Sequence, residues 1–302
     1  VSNSGIELTI DTKNIQTKEF SWTSSFNISF NRNKVLSLND DEPSLASRVN
    51  WGNFNNAYPY IAIPGHPIAM FYGHIFDGVY QYTDFDKVGE SYILKDGVPN
   101  NGNAREKIQP GDIKFKDINR DGMVNDYDLT IIGNPNPKHI GGFGNNFQYK
   151  NFDLNVFFQW SYGGDVLNAN RIEFEGGDPN ARTSLNMFAS FANRWTPENQ
   201  TNELYRIGGQ GPAVYSSRTI EDGSFLRLKT ISLGYRLPNA WLKKINIKSL
   251  RVYASAQNLI TWTKYSGPDP EVSTRPTALT PSFDWSPYPR PRTLTLGVDI
   301  SF

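Results

Sequence analysis

The chain contains no cysteine, which excludes a disulfide framework and any thiolate nucleophile or thiolate metal site. It has no run of 18 apolar residues, which excludes a transmembrane helix. An excess of one charge is missing too: 30 basic residues face 30 acidic ones. That balance offers no electrostatic footprint for nucleic acid. Histidine is scarce, with only His66, His74 and His139, and none falls in an H-E-x-x-H spacing. No G-x-S-x-G elbow occurs, so a hydrolase triad has no anchor. Glu173 and Glu175 read as solvated loop acids rather than a catalytic pair. Gly141-Gly142-Phe143-Gly144 precedes neither a helix nor a Lys-Ser/Thr pair, so it is no phosphate loop; its glycines are expected to ease a bend at the start of a strand. The chain is therefore not expected to be an enzyme. Residues 1–11 lack the basic and apolar regions of a signal peptide, so an exported protein would be seen here as an internal or processed piece.

Aromatic residues are plentiful. The 302 residues include 19 Phe, 15 Tyr and 7 Trp, although the mean hydropathy is only −0.52. A polar average with many aromatics suits either a membrane β-barrel with aromatic girdles or a carbohydrate-binding β protein. The last residues sharpen the choice. Leu294, Leu296, Val298, Ile300 and Phe302 occupy every second position, with Thr293, Thr295, Gly297, Asp299 and Ser301 between them. This is a strand with one apolar and one polar face. Ending on an apolar aromatic edge invites aggregation in water, whereas lipid and barrel closure satisfy it in a membrane. The last strand of a soluble sandwich is the competing reading.

The same alternation recurs along the chain. It predicts a short first strand at Ile6, Leu8 and Ile10, a polar turn over 12–18, and a second strand at Phe20, Trp22, Phe26, Ile28 and Phe30. The clearest hairpin joins Phe143, Phe147 and Tyr149 to Phe152, Leu154, Val156, Phe158, Trp160 and Tyr162, with Phe157 the one large apolar residue on the polar face. Over 224–237 the apolar phase shifts between Leu228 and Ile231, which predicts a bulge. Leu250, Val252, Ala254, Ala256, Ile260 and Trp262 form the sixth strand. Short helices are expected near 190–195 and 241–245. Connections after Thr12, Tyr149 and Leu237 are short, and those after Phe30, Tyr162 and Trp262 are long. Outer-membrane barrels have this asymmetry, with short periplasmic turns and long extracellular loops. Residues 31–138 then form an extracellular lobe, and 163–223 and 265–290 are extracellular loops. Because 31–138 must start and end on one side, 66–82 cannot be a single spanning strand; a hairpin kinked at Gly73 is expected there. Loop aromatics such as Trp51, Tyr58, Tyr60, Trp285 and Tyr288 could stack on sugars, or serve as girdle or loop-core residues.

One stretch carries chemistry. In Asp117-Ile118-Asn119-Arg120-Asp121-Gly122-Met123-Val124-Asn125-Asp126-Tyr127-Asp128 the oxygen side chains fall at positions 1, 3, 5, 9 and 12, with Gly at 6. That is the spacing of an EF-hand-type calcium loop. Asp117, Asn119, Asp121, Asn125 and Asp128 are the candidate side-chain ligands, and Met123 would offer its carbonyl. Asp at position 12 shortens the usual reach of Glu, and a solvated Asp/Asn/Gly turn is the plain alternative. A bound Ca²⁺ would stiffen an extracellular loop.

Several motifs together resemble a family. Gly111-Asp112-Ile113-Lys114-Phe115-Lys116-Asp117-Ile118-Asn119-Arg120-Asp121-Gly122, Ile132-Gly133-Asn134-Pro135-Asn136-Pro137 and Tyr149-Lys150-Asn151-Phe152-Asp153-Leu154 are similar to the C-terminal part of SusC/RagA-type TonB-linked outer-membrane transporters of Bacteroidetes. Ser224-Phe225-Leu226-Arg227-Leu228-Lys229, Ser255-Ala256-Gln257-Asn258-Leu259, Tyr265-Ser266-Gly267 with Asp269-Pro270-Glu271, and Pro289-Arg290-Pro291-Arg292-Thr293 extend the resemblance in order. It implies an all-β fold: an arc of about seven antiparallel spanning strands from a large transmembrane barrel. It also implies nutrient import of glycans or peptides, a SusD-like surface lipoprotein as partner, and coupling to TonB through a plug and TonB box that this sequence does not include. Such an arc would not transport alone. A soluble calcium-dependent carbohydrate-binding β-sandwich and an outer-membrane enzyme barrel are the alternatives.

Overall fold

The computed structural model describes residues 1–49, 57–176, 185–213, 215–242, 246–274 and 277–302; Trp51 and residues 243–245 lie outside them. Seven long strands form one antiparallel sheet: β1 (Ser2–Gln16), β2 (Phe20–Lys34), β3 (His139–Tyr149), β4 (Phe152–Tyr162), β5 (Phe225–Arg236), β6 (Ser249–Thr263) and β7 (Thr293–Ser301). Their spatial order is their chain order, so the sheet is an up-and-down meander. The period-2 pattern sets the register. Ile10, Phe26, Phe143, Phe158, Leu228 and Ile260 stand side by side across six strands. A one-residue slip would send this row to the polar face.

The apolar face stays open. Leu296 is 86% exposed and Leu294 78% exposed. A sandwich would bury that face under a second sheet; an apolar surface of this extent is instead suited to lipid. The loops pack on the opposite, polar face and at one end of the strands.

The first strand is longer than the alternation predicts. Its polar end still pairs, Thr12 with Ser24 and Lys13 with Thr23, because a backbone ladder needs no apolar side chains. The expected bulge is present, with a register shift between Phe157 and Phe158 opposite Leu228 and Thr230. A further shift follows between β5 and β6, where Asn258 takes a positive φ of 51°. Residues 66–82 do not span, but neither do they make a hairpin. Met70–Gly73 joins a sheet with Tyr60–Ala62 and Thr130–Gly133, while Phe76–Val79 pairs with Ile113–Phe115.

The three long connections fold together into one lobe. Its main core joins Val49, Tyr60 and Phe71 from the first connection, Leu167 and Ala169 from the second and Phe283 from the third. The Tyr60 hydroxyl donates to the Pro281 carbonyl at 2.8 Å, and the Tyr215 hydroxyl to that of Tyr72 at 2.7 Å. A second core sets Val79, Ile113, Phe115 and Val124 against Trp195, Leu204 and Tyr205. Gly111 has φ +90°, and a Cβ there would lie 2.4 Å from the Trp195 ring, so only glycine fits. The helix near 190–195 is a 3₁₀ segment, Ala189–Asn193, and Asn239–Leu242 is one α-turn. The α-helix Ala169–Glu175 leaves no mark in the sequence, since seven residues are too few to show a helical period.

Candidate functional site

The polar face of the sheet is hollowed where β2, β3 and β4 meet. Asn27, Gly142 and Gln159 are directly opposite one another on the three strands. Ser25, Gly144 and Phe157 form the next row. The Phe157 ring turns onto the two glycines: a Cβ on Gly142 would lie 2.9 Å from it and one on Gly144 3.6 Å. The glycines therefore seat an aromatic ring on the wall, and the strand keeps an unbroken register through them. Above them the chain leaves a cavity of about 680 Å³, roofed by Pro270–Ser273 from the last connection and by Asp165 and Val166 from the second.

The roof is fastened by charge. Arg227 on β5 donates to Asp269 at 2.5 Å and to Glu271 at 3.1 Å, and its Nε donates to the Thr261 hydroxyl at 3.0 Å. Arg290 closes the quartet, 3.0 Å from Asp269 and 2.6 Å from Glu271. Each nitrogen of the buried guanidinium fork thus donates to an acceptor, the condition under which a buried charge is tolerated.

A second polar junction ties the helix to the other connections. Glu175 is buried, contrary to the expectation of a solvated acid, because Arg171 (3.0 Å), Arg218 (2.7 Å) and the Ser190 hydroxyl (2.7 Å) converge on it. Burial alone would raise its carboxyl, but these partners outweigh burial and hold it below the ordinary carboxylate value. Nearby, the Tyr265 hydroxyl donates to the Asp284 carboxylate. Burial pushes Asp284 up, against the hydrogen bonds from Tyr265 and Asn170.

The calcium-type loop folds as a run of side-chain-capped turns. Asp117 accepts from the backbone N–H of Arg120 (2.6 Å) and of Gly122 (2.8 Å). Asp121 accepts from Met123 N–H, Asn119 from Asp121 N–H, and Asn125 from Tyr127 N–H. Asp128, fully buried, accepts from Ile118 at 2.7 Å and Asn125 at 2.9 Å. Among the described residues no three His, Asp or Glu side chains converge closely enough to hold a metal ion. The carboxylates organise the loop by themselves, although each oxygen of Asp117 and Asp121 retains a second lone pair. Of the loop aromatics, Tyr60 and Trp285 belong to the lobe core, whereas Tyr58 and Tyr288 are exposed.

No family model matches the chain. The TonB-dependent receptor P3 of Formosa agariphila is 35% identical over 307 residues, a match covering all of this chain and 29% of the relative. The TonB-dependent receptor SusC of Bacteroides thetaiotaomicron is 30% identical over 310 residues, covering all of this chain and 26% of the relative. The chain belongs to the SusC/RagA family of TonB-dependent receptors. A structure of the RagAB peptide transporter superposes with TM-score 0.73 at 25% identity, over 99% of this chain and 29% of that one. Its closed-closed state, at 24% identity and TM-score 0.74, shares the fold. The chain thus spans about three tenths of the length of these relatives, and the seven strands are an arc of a TonB-dependent receptor barrel.

Proposed function

We propose that the whole protein is an outer-membrane, TonB-coupled importer of glycans or peptides, to which this chain contributes an arc of wall and a loop lobe. The observation that carries the reading is the uncovered apolar face opposite a polar face capped by loops at one end. Lipid covers such a face, and the polar side then lines the lumen. Residues 31–138, 163–223 and 265–290 are read as extracellular, and the short turns at 17–19, 150–151 and 237–248 as periplasmic. A SusD-like surface lipoprotein would meet the loop end, and TonB would act through a plug and TonB box outside this chain. The name of one neighbour, the RagAB peptide transporter, supports the peptide class. Calcium is proposed as a structural ion of the 117–128 loop, held by Asp117, Asn119, Asp121, Asn125, Asp128 and the Met123 carbonyl.

Because this chain carries no cysteine, single cysteines placed in it report its topology in a full-length receptor whose other segments carry none that react. An impermeant maleimide should label Tyr127→Cys on intact cells, but label Lys150→Cys only after the outer membrane is opened. Uptake of a labelled oligosaccharide or peptide pool should stop when TonB is deleted. Equal labelling at both sites, or uptake indifferent to TonB, would overturn the reading.

A further inference from the structure

The third connection is held at its middle by a group whose charge the lobe does not balance. The two-residue strand Phe283–Asp284 pairs with Leu167 and Asn168 of the second connection, and Asp284 is 0% exposed. Its carboxylate accepts from the Tyr265 hydroxyl, while Oδ1 has no hydrogen-bond partner among the described residues. Full burial within the chain's own lobe leaves no surface at which another part of the receptor could supply that partner. The neighbouring charges are already matched. Arg171 and Arg218 bond Glu175, and Arg171 also reaches Glu221 at 3.5 Å. Glu221 accepts further bonds from Asn168 and Ser266, and Asp269 belongs to Arg227 and Arg290. Asp284 is thus a third acid at a junction of two bases. Ionised, it would be an uncompensated charge in the interior, and an unpartnered neutral oxygen costs far less than an unpartnered carboxylate.

We infer that Asp284 keeps its proton in the folded lobe, and that this proton latches the middle of the third connection to the second. The inference rests on the topology proposed above only for the extracellular pH that the latch would meet. Burial acts in the same sense, pushing the Asp284 carboxyl up. The ends of the segment are fastened differently. Asp269, Glu271 and Arg290 join Arg227 in a quartet of two acids and two bases, which needs no proton to be neutral. Rising pH therefore frees the middle and spares the ends, so the segment bows away as an arch. Val272, Ser273 and Ser282 of this segment line the cavity beneath. Releasing the latch opens its roof.

The test follows amide exchange by mass spectrometry in the purified full-length receptor, with protection taken relative to the intrinsic rate at each pH. From about pH 4 upward, protection of 277–287 should fall by up to about tenfold per pH unit, as one bound proton dictates, and then level off. Protection of 265–271 should not follow it. Asp284→Asn should abolish the fall, and its infrared difference from the unaltered receptor at about pH 5 should show the loss of one protonated carboxyl. Tyr265→Phe removes the hydroxyl that favours the ionised form, so it should carry the fall to higher pH. That variant keeps the test decisive should Asp284→Asn fail to assemble. Protection of 277–287 that is flat with pH, or a fall that persists in Asp284→Asn, overturns the inference. So does protection that depends on sodium, potassium or calcium and not on pH, since a cation would then balance the charge. Exchange in purified receptor reads the latch whichever way the chain faces. Equal maleimide labelling would remove the topology and leave the latch standing, whereas flat protection removes only the latch.

Discussion

Arg227 in the sheet and Asp269 in the last long connection form an ion pair of 2.5 Å, with Arg227 only 2% exposed. The pair joins the wall to its roof, and Arg290 and Glu271 complete the charge balance. Breaking one side of such a buried pair costs about 3–5 kcal/mol, mostly for the charge left behind. Arg227→Met in the full-length receptor is therefore expected to free the 265–290 connection for proteolysis while the barrel stays heat-resistant. Adding Asp269→Asn should recover part of the loss.

Two buried acids in the lobe respond to pH in opposite directions. Glu175 is held below its ordinary value, so the stability it supplies is present above the usual carboxylate range and is lost as pH falls through its lowered value. Asp284 is pushed up by burial, so its contribution is present at acid pH and is lost as pH rises through its raised value. The protection of lobe amides, taken relative to the intrinsic exchange rate at each pH from about pH 3 to pH 8, should therefore rise and then fall. Arg218→Gln is expected to move the acid-side loss to higher pH, and Asp284→Asn to abolish the loss on the rising side.

Gly141 leaves no room for a side chain. A Cβ there would lie 2.3 Å from the Trp160 ring and 2.5 Å from the Asn27 carbonyl oxygen. The ring could shift, but the carbonyl belongs to the ladder between β2 and β3. Gly141→Ala should destabilise the barrel by about 1–3 kcal/mol, as overpacking does, read as earlier unfolding on heating in detergent. Gly65, with nothing near its Cβ position, has a positive φ, so Gly65→Asn is expected to have a much smaller effect.

The 117–128 loop supplies a calcium test. If the ion binds, it should protect residues 111–138 from proteolysis, and Asp117→Ala with Asp121→Ala should abolish that protection. Chelation that leaves the cleavage pattern of the unaltered receptor unchanged would count against the site. The substitutions also remove the acceptors of three backbone N–H groups and of the Asn119 side-chain amide, so the informative comparison is with and without calcium within each variant.

The strands were legible because each face of the wall meets a single medium, which imposes a period of two. Where polar and apolar positions trade places the pattern says less. Asn145 lies in the apolar phase between Phe143 and Phe147, and only the register shows why: it accepts from the Trp22 indole N–H at 3.0 Å and the Ser24 hydroxyl at 2.7 Å. The bulge in β5 was visible since one extra residue reverses the phase. The irregularity at Asn258 was hidden because Ala256 and Ile260 remain in phase across it.

The sequence by itself determined the strands, their alternating direction, the face each side chain takes and the end at which the long connections emerge, because all of these follow from local periodicity and connection length. Only the tertiary structure decided that three connections share one core, that Arg227 reaches Asp269, that Glu175 is buried against Arg218 43 residues away, and that Phe157 lies on Gly142. These contacts join segments whose separation carries no period. They depend on volume, charge and backbone approach in three dimensions, which neighbours along a chain do not record.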